Sequence, residues 1–167
     1  SGKNYDAVFR ACQKIGRVTY IGYETNKGKG HAIKMGFRYI FEHFPACLGV
    51  VTADCDGQHT AKDISRIGSA LVHSPEHLIL GARNCLKENV PLRSRIGNRF
   101  TRWIFKLVSG ISVKDTQTGL RAMTKHAMEC FVNTEGDRFE YEMNVLAQSR
   151  KYKIKIKEIP IDTVYIA

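Results

Sequence analysis

The chain has 167 residues, enough for one domain with a buried core, and 43% hydrophobic with 25% charged residues excludes a disordered chain. No apolar run approaches the roughly 18 residues of a membrane span and no charged-then-apolar leader opens the sequence, so a soluble or peripheral protein is expected. The net charge of +10 draws polyanions, phosphates or an anionic membrane face without choosing among them.

In chain order, Ala7, Phe9, Ala11, Cys12 and Ile15 predict a helix over 6–15, with Gly16 at its stop. Arg17 to Glu24 reads as a strand through Val18, Tyr20 and Ile21. Asn26-Lys27-Gly28-Lys29-Gly30 breaks it. Glycines at 28 and 30 suggest a phosphate cradle, but Ile33 takes the third glycine position of the dinucleotide fingerprint and the Walker spacing is missing. Generic rules leave a tight strand-to-helix turn with two lysines. A helix over 31–43 follows, with Ile33, Phe37, Ile40 and Phe41 on one face and Pro45 beyond its end.

Cys47 to Ala53 is a short apolar run bounded by a turn, read as a buried strand that delivers Asp54 and Asp56 to its carboxyl edge. Ligands of open α/β sheets sit at that edge. Two aspartates one residue apart can face one hard cation, since Mg²⁺ or Mn²⁺ takes one or two carboxylates and leaves its other positions to water and phosphates. Gln58 offers an amide oxygen for a third contact. Calcium of the EF-hand type fails on spacing, because His59 and Ser65 stand where Gly and Glu are needed. The same residues also suit a plain turn at Asp56-Gly57 followed by a helix start near Asp63, and taken alone they leave both readings open.

A helix over 63–73 with Ile64, Ile67, Leu71 and Val72 inward, then a strand over 77–83, complete three alternations of strand and helix. That is the pattern of a parallel sheet with crossover helices. After a polar loop at 86–91, Arg93 to Val108 is the strongest helical pattern: Ile96, Phe100, Trp103, Ile104, Leu107 and Val108 form an apolar stripe. Opposite run Arg95, Arg99, Arg102 and Lys106, either a solvated face or a basic amphipathic surface for a membrane, which salt-sensitive binding to anionic vesicles would reveal. Asp115 to Arg121 is a dense polar turn, suspected as a site, leading into a strand through Met123. A helix over 138–151 has Glu140 and Glu142 near its start, where the dipole is sufficient reason for them. Lys153 to Ile166, interrupted by Pro160, reads as an edge strand. Five cysteines (Cys12, Cys47, Cys55, Cys85, Cys130), without a C-x-x-C pair, suggest neither disulfides nor a zinc ribbon and favour a reducing cytosol. His73 and His77 flank Pro75 and lack the zinc-protease glutamate, so both are treated as surface residues.

Several segments in order resemble family 2 glycosyltransferases: Asn26 to Ala32, Asp54 to His59, Gly81-Ala82-Arg83, Pro91 to Arg95 with Gly97-Asn98, Asp115 to Arg121, and Arg138 to Glu142. The likeness is strongest to the branch of dolichyl-phosphate mannosyltransferase and its polyprenyl-phosphate relatives. It implies a GT-A (Rossmann-like) fold, a three-layer α/β sandwich on a mainly parallel mixed sheet, in one domain over 1–167. It also implies a nucleotide-diphosphate sugar donor and Mg²⁺ or Mn²⁺ on Asp54 and Asp56, with Gln58 as a further ligand. Arg83, Arg93 or Arg95, and Arg121 are then expected at the donor diphosphate. A polyprenyl-phosphate acceptor needs no strong base, whereas a glycan hydroxyl does, with Asp115 the first candidate beside the metal-holding Asp56.

The family's proline-aromatic-asparagine-glutamate and Asp-Asp-Gly-Ser segments, which hold the nucleoside, are missing here. Ser1-Gly2 falls where the second would end, so an N-terminally incomplete domain without its first βαβ unit is expected. Cys55 replaces the usual alanine of the acidic triplet. A non-catalytic binding module or inactive fragment is the rival reading. Nucleic acid has only the charge in its favour and is not expected as a partner. The expected place of action is the cytoplasm, including the cytoplasmic face of a membrane through the helix from Arg95 to Lys106.

Overall fold

The computed structural model describes residues 6–83 and 110–162. Within them lie five helices, α1 (Asp6–Lys14), α2 (Lys29–His43), α3 (Ala61–His73), α4 (Lys125–Phe131) and α5 (Glu140–Lys151). Four strands, β1 (Gly49–Thr52), β2 (His77–Arg83), β3 (Arg121–Thr124) and β4 (Lys155–Ile161), form one mixed sheet in the order β1-β3-β2-β4.

Local chemistry accounts for several boundaries. The Thr60 hydroxyl oxygen accepts the Asp63 backbone N–H at 3.1 Å, a side-chain cap that starts α3. Thr124 does the same for α4 from the Ala127 N–H, and that helix was not foreseen because Lys125 to Phe131 is only two turns long. Three β-branched or leucine residues in succession, Leu78, Ile79 and Leu80, are all fully buried, so β2 is covered on both faces. Leu78, Leu80 and Met123 pack with Phe37 of α2 and with Tyr141, Val145 and Leu146 of α5. Ile79 and Ala122 pack on the other face with Ile67 and Leu71 of α3.

Two expectations change. The segment read as a strand over 17–24 is irregular, with Val18, Tyr20 and Ile21 exposed. The alternation is present, but no neighbouring strand among the described residues takes up its N–H and C=O groups. The sheet is also less parallel than expected. β2 and β4 pair in parallel, whereas β3 runs antiparallel to both β1 and β2. β1 therefore lies at an edge of the described sheet and is only half-buried. β4 is the edge strand foreseen, and Pro160 sits within it.

The reversed β3 decides where residues meet. Thr52, which ends β1, pairs with Arg121, which begins β3, and Arg121 also pairs with Leu80 near the end of β2. One end of the sheet thus gathers the loop after β1, the last residues of β2 and the turn before β3.

Candidate functional site

At that end Asp54 leaves β1 with its side chain 31% exposed and its Oδ1 2.6 Å from the Lys29 ammonium. Its carboxylate rests on the backbone of Gly119, so closely that a β-carbon at 119 would overlap it. The Thr52 hydroxyl donates to the Gly119 carbonyl at 3.2 Å, tying β1 to the turn. Asp56 is exposed, and its Oδ1 accepts the Gln58 backbone N–H at 3.0 Å around Gly57, whose φ is 81°. The two aspartates thus sit on one loop and take different partners.

Lys29 reaches this loop through the packing of α2. Gly28 has φ 101°, and a β-carbon there would strike the Asp137 carbonyl; one at Gly30 would strike the Tyr141 side chain. The His31 N–H donates to the Asp137 carbonyl at 3.0 Å. These glycines serve a close approach of α2 to the start of α5. That approach sets Lys29 between Asp54 and Glu142, whose Oε2 is 2.9 Å from the ammonium.

The turn before β3 is braced from within. Arg121 is 3% exposed, and its guanidinium donates to the carbonyls of Thr118 (2.9 Å), Glu142 (2.8 Å) and Thr116 (3.3 Å). Its Nε is 4.0 Å from Glu142 Oε1. Burial pulls this guanidinium below its ordinary pKa, opposed by the charges of Glu142 and Asp115. Asp115 is fully buried and grips Arg83 at the end of β2 with both oxygens, at 2.6 Å to Nε and 3.2 Å to Nη2. It also accepts the Gln117 N–H, while Glu158 of β4 accepts the backbone N–H groups of Lys114 and Asp115.

Asp54, Asp56, Gln58, Arg83, Asp115 and Arg121, all singled out in the sequence, are thus distributed over three neighbouring chain segments at one sheet end. Arg83 and Asp115, given separate tasks, are partners. Arg121 faces inward onto the turn. Arg93 and Arg95, and with them the cation stripe through Lys106, lie outside the described residues. Lys29, Gly119 and Glu142 were not foreseen as site members. Their signal was membership of the family-like segments 26–32, 115–121 and 138–142, and the resemblance assigned none of the three a role. Among the described residues no three His, Cys, Asp or Glu side chains form a ready-made metal cluster, and no helix is long and apolar enough to cross a membrane. Cys12, Cys47, Cys55 and Cys130 are free thiols.

Fold and site define an α/β domain with helices on both faces of a mixed sheet, carrying carboxylates and cations where two strands end and a third begins. No family model matches the chain. It is 34% identical over 156 residues to the UDP-N-acetylglucosamine–dolichyl-phosphate N-acetylglucosaminyltransferase of Methanococcus voltae, covering 89% of this chain and 60% of that protein. It is 31% identical over 169 residues to human dolichyl-phosphate beta-glucosyltransferase, covering 92% and 50%. An uncharacterized protein of Methanocaldococcus jannaschii is 32% identical over 144 residues, covering 84% and 58%. The chain belongs to the family of the dolichyl-phosphate glycosyltransferases, glycosyltransferase family 2. It spans about half to three-fifths of the length of these relatives.

Proposed function

We propose that this chain is the GT-A catalytic part of a glycosyltransferase that moves a sugar, with inversion, from a nucleotide-diphosphate donor to a polyprenyl phosphate. The observation that carries the reading is the reversed β3, which sets the 115–119 turn and Arg121 beside the acidic loop and Arg83. Asp54, Asp56 and Gln58 would hold Mg²⁺ or Mn²⁺. Their hard oxygens suit such an ion, which needs few protein ligands when a diphosphate supplies others, and Gly119 leaves room for Asp54 where any side chain would fill it. When bound, the ion supplies charge to offset that developing on the departing diphosphate.

The chain's own residues prepare the same ground. Asp115 locks Arg83 at the end of β2, so the guanidinium meets the donor phosphates already oriented. Arg121 contributes through the turn that it braces, while Arg93 or Arg95 remain candidates for direct contact on sequence grounds. Asp115 has both oxygens committed and no exposed surface, an arrangement ill suited to taking a proton from an acceptor hydroxyl. That favours an acceptor whose phosphate oxygen is already a nucleophile. The cations at Arg95, Arg99, Arg102 and Lys106, together with the net charge of +10, would favour an anionic cytoplasmic membrane face where such an acceptor resides.

Calorimetry with UDP and GDP in the presence and absence of Mn²⁺ tests this reading. Nucleotide binding that needs the metal and is lost in Asp56→Ala is the expected outcome. Silence with both nucleotides supports instead a non-catalytic module or an inactive piece.

A further inference from the structure

Lys29 shares one ammonium between carboxylates from two elements, at 2.6 Å from Asp54 Oδ1 and 2.9 Å from Glu142 Oε2. The two seats differ. Asp54 stands on a loop with its side chain 31% exposed, whereas Glu142 is 7% exposed in the first turn of α5 and has Arg121 near its other oxygen.

We propose that Lys29 is the resident counter-ion of Asp54, and that it withdraws onto Glu142 when a divalent cation takes the aspartate. The lysine thereby sets how tightly that cation is held. This rests on the reading of Asp54 and Asp56 as the ion's ligands. Two cations, Lys29 and Arg121, balance two anions, Asp54 and Glu142, in this cluster. A doubly charged ion arriving at Asp54 meets an ammonium already 2.6 Å from an oxygen of that carboxylate, and like charges so close in a half-buried site oppose each other strongly. Withdrawal keeps the ammonium paired, because Glu142 is already within hydrogen-bonding reach. Without Glu142 the ammonium has Asp54 alone and competes harder. A compact charge on a flexible stem suits a group that changes partner.

The test is Mn²⁺ affinity of the whole chain, read from the paramagnetic resonance signal of free Mn²⁺. Lys29→Met tightens binding about tenfold, the scale of one removed like charge in a partly solvated site. Lys29→Arg, which keeps the charge, does not. Glu142→Gln weakens binding several-fold in the wild-type background and changes it little in the Lys29→Met background. That non-additivity separates partner exchange from simple loss of a negative charge. In the wild-type protein, which asks nothing of variant folding, the ε-methylene signals of Lys29 move on Mg²⁺ addition with the midpoint of metal binding.

Unchanged Mn²⁺ affinity in Lys29→Met, additive effects of the two substitutions, or a Lys29 signal that stays still while Mg²⁺ binds overturns the proposal and leaves the Asp54–Asp56 reading standing. Absence of Mn²⁺ binding in the wild-type chain, or binding that survives Asp56→Ala, removes that reading and this inference with it.

Discussion

The end of the sheet and the first described stretch of the chain contrast in an instructive way. In α1 and the residues after it, apolar side chains stand in water: Ile15 is 79% exposed and Val8 55%. Phe9 and Tyr20 stack on each other at 4.4 Å, a contact local to that stretch. At the sheet end the opposite holds, and charged groups are buried, with Asp115 at 0% and Arg121 at 3%. An apolar pattern does not bury itself, and a charge need not stay outside. Burial follows from whether the surrounding elements supply a covering face or a hydrogen-bonding partner.

Three substitutions would break or sharpen this contrast. The largest effect is expected from Arg121→Met, which deprives three buried carbonyls of their donor and the Glu142 carboxylate of one of its two cationic partners. A loss of about 3–5 kcal/mol in urea unfolding is expected, as for breaking a buried ionic network by removing one partner. A cost below that of an ordinary surface change would mean that the brace is incidental. Next comes Gly28→Ala, where φ 101° and the Asp137 carbonyl both oppose a side chain. About 1–3 kcal/mol is the expected cost, and Mn²⁺ binding should shift as well if the α2–α5 approach is what seats Lys29. The smallest change belongs to the exposed stretch. Ile15→Ser should stay within about 0.5 kcal/mol of wild type, and a larger loss would show that Ile15 is covered in solution.

Much of the framework was legible in residue order. The helices over 6–15, 31–43, 63–73 and 138–151 and the strands over 47–53 and 77–83 all appear, most of them within a few residues of their observed limits, because hydrophobic period and capping chemistry act locally. The strand expected over 153–166 is present at 155–161, its last expected residues lying outside the described ones. The strand at 17–24 failed for the complementary reason, since a strand exists only against a neighbour, and alternation says nothing about whether one is there. Among the site residues, the acidic pair and the 115–121 turn stood out by composition. Lys29 and Glu142 did not, because a lysine in a turn and a glutamate at a helix start have adequate local explanations.

By itself, then, the order of residues determined the elements, their caps and the family, all of which depend on side chains close together along the chain or on segments matched one by one. Only the tertiary structure decided the direction of β3. Through that reversal it decided that Thr52 lies against Arg121, that Arg83 is held in place by Asp115, and that Lys29 stands between two carboxylates. The physical reason is that pairing direction and charge partnership are properties of surfaces meeting across the sheet. No short window of sequence contains both surfaces.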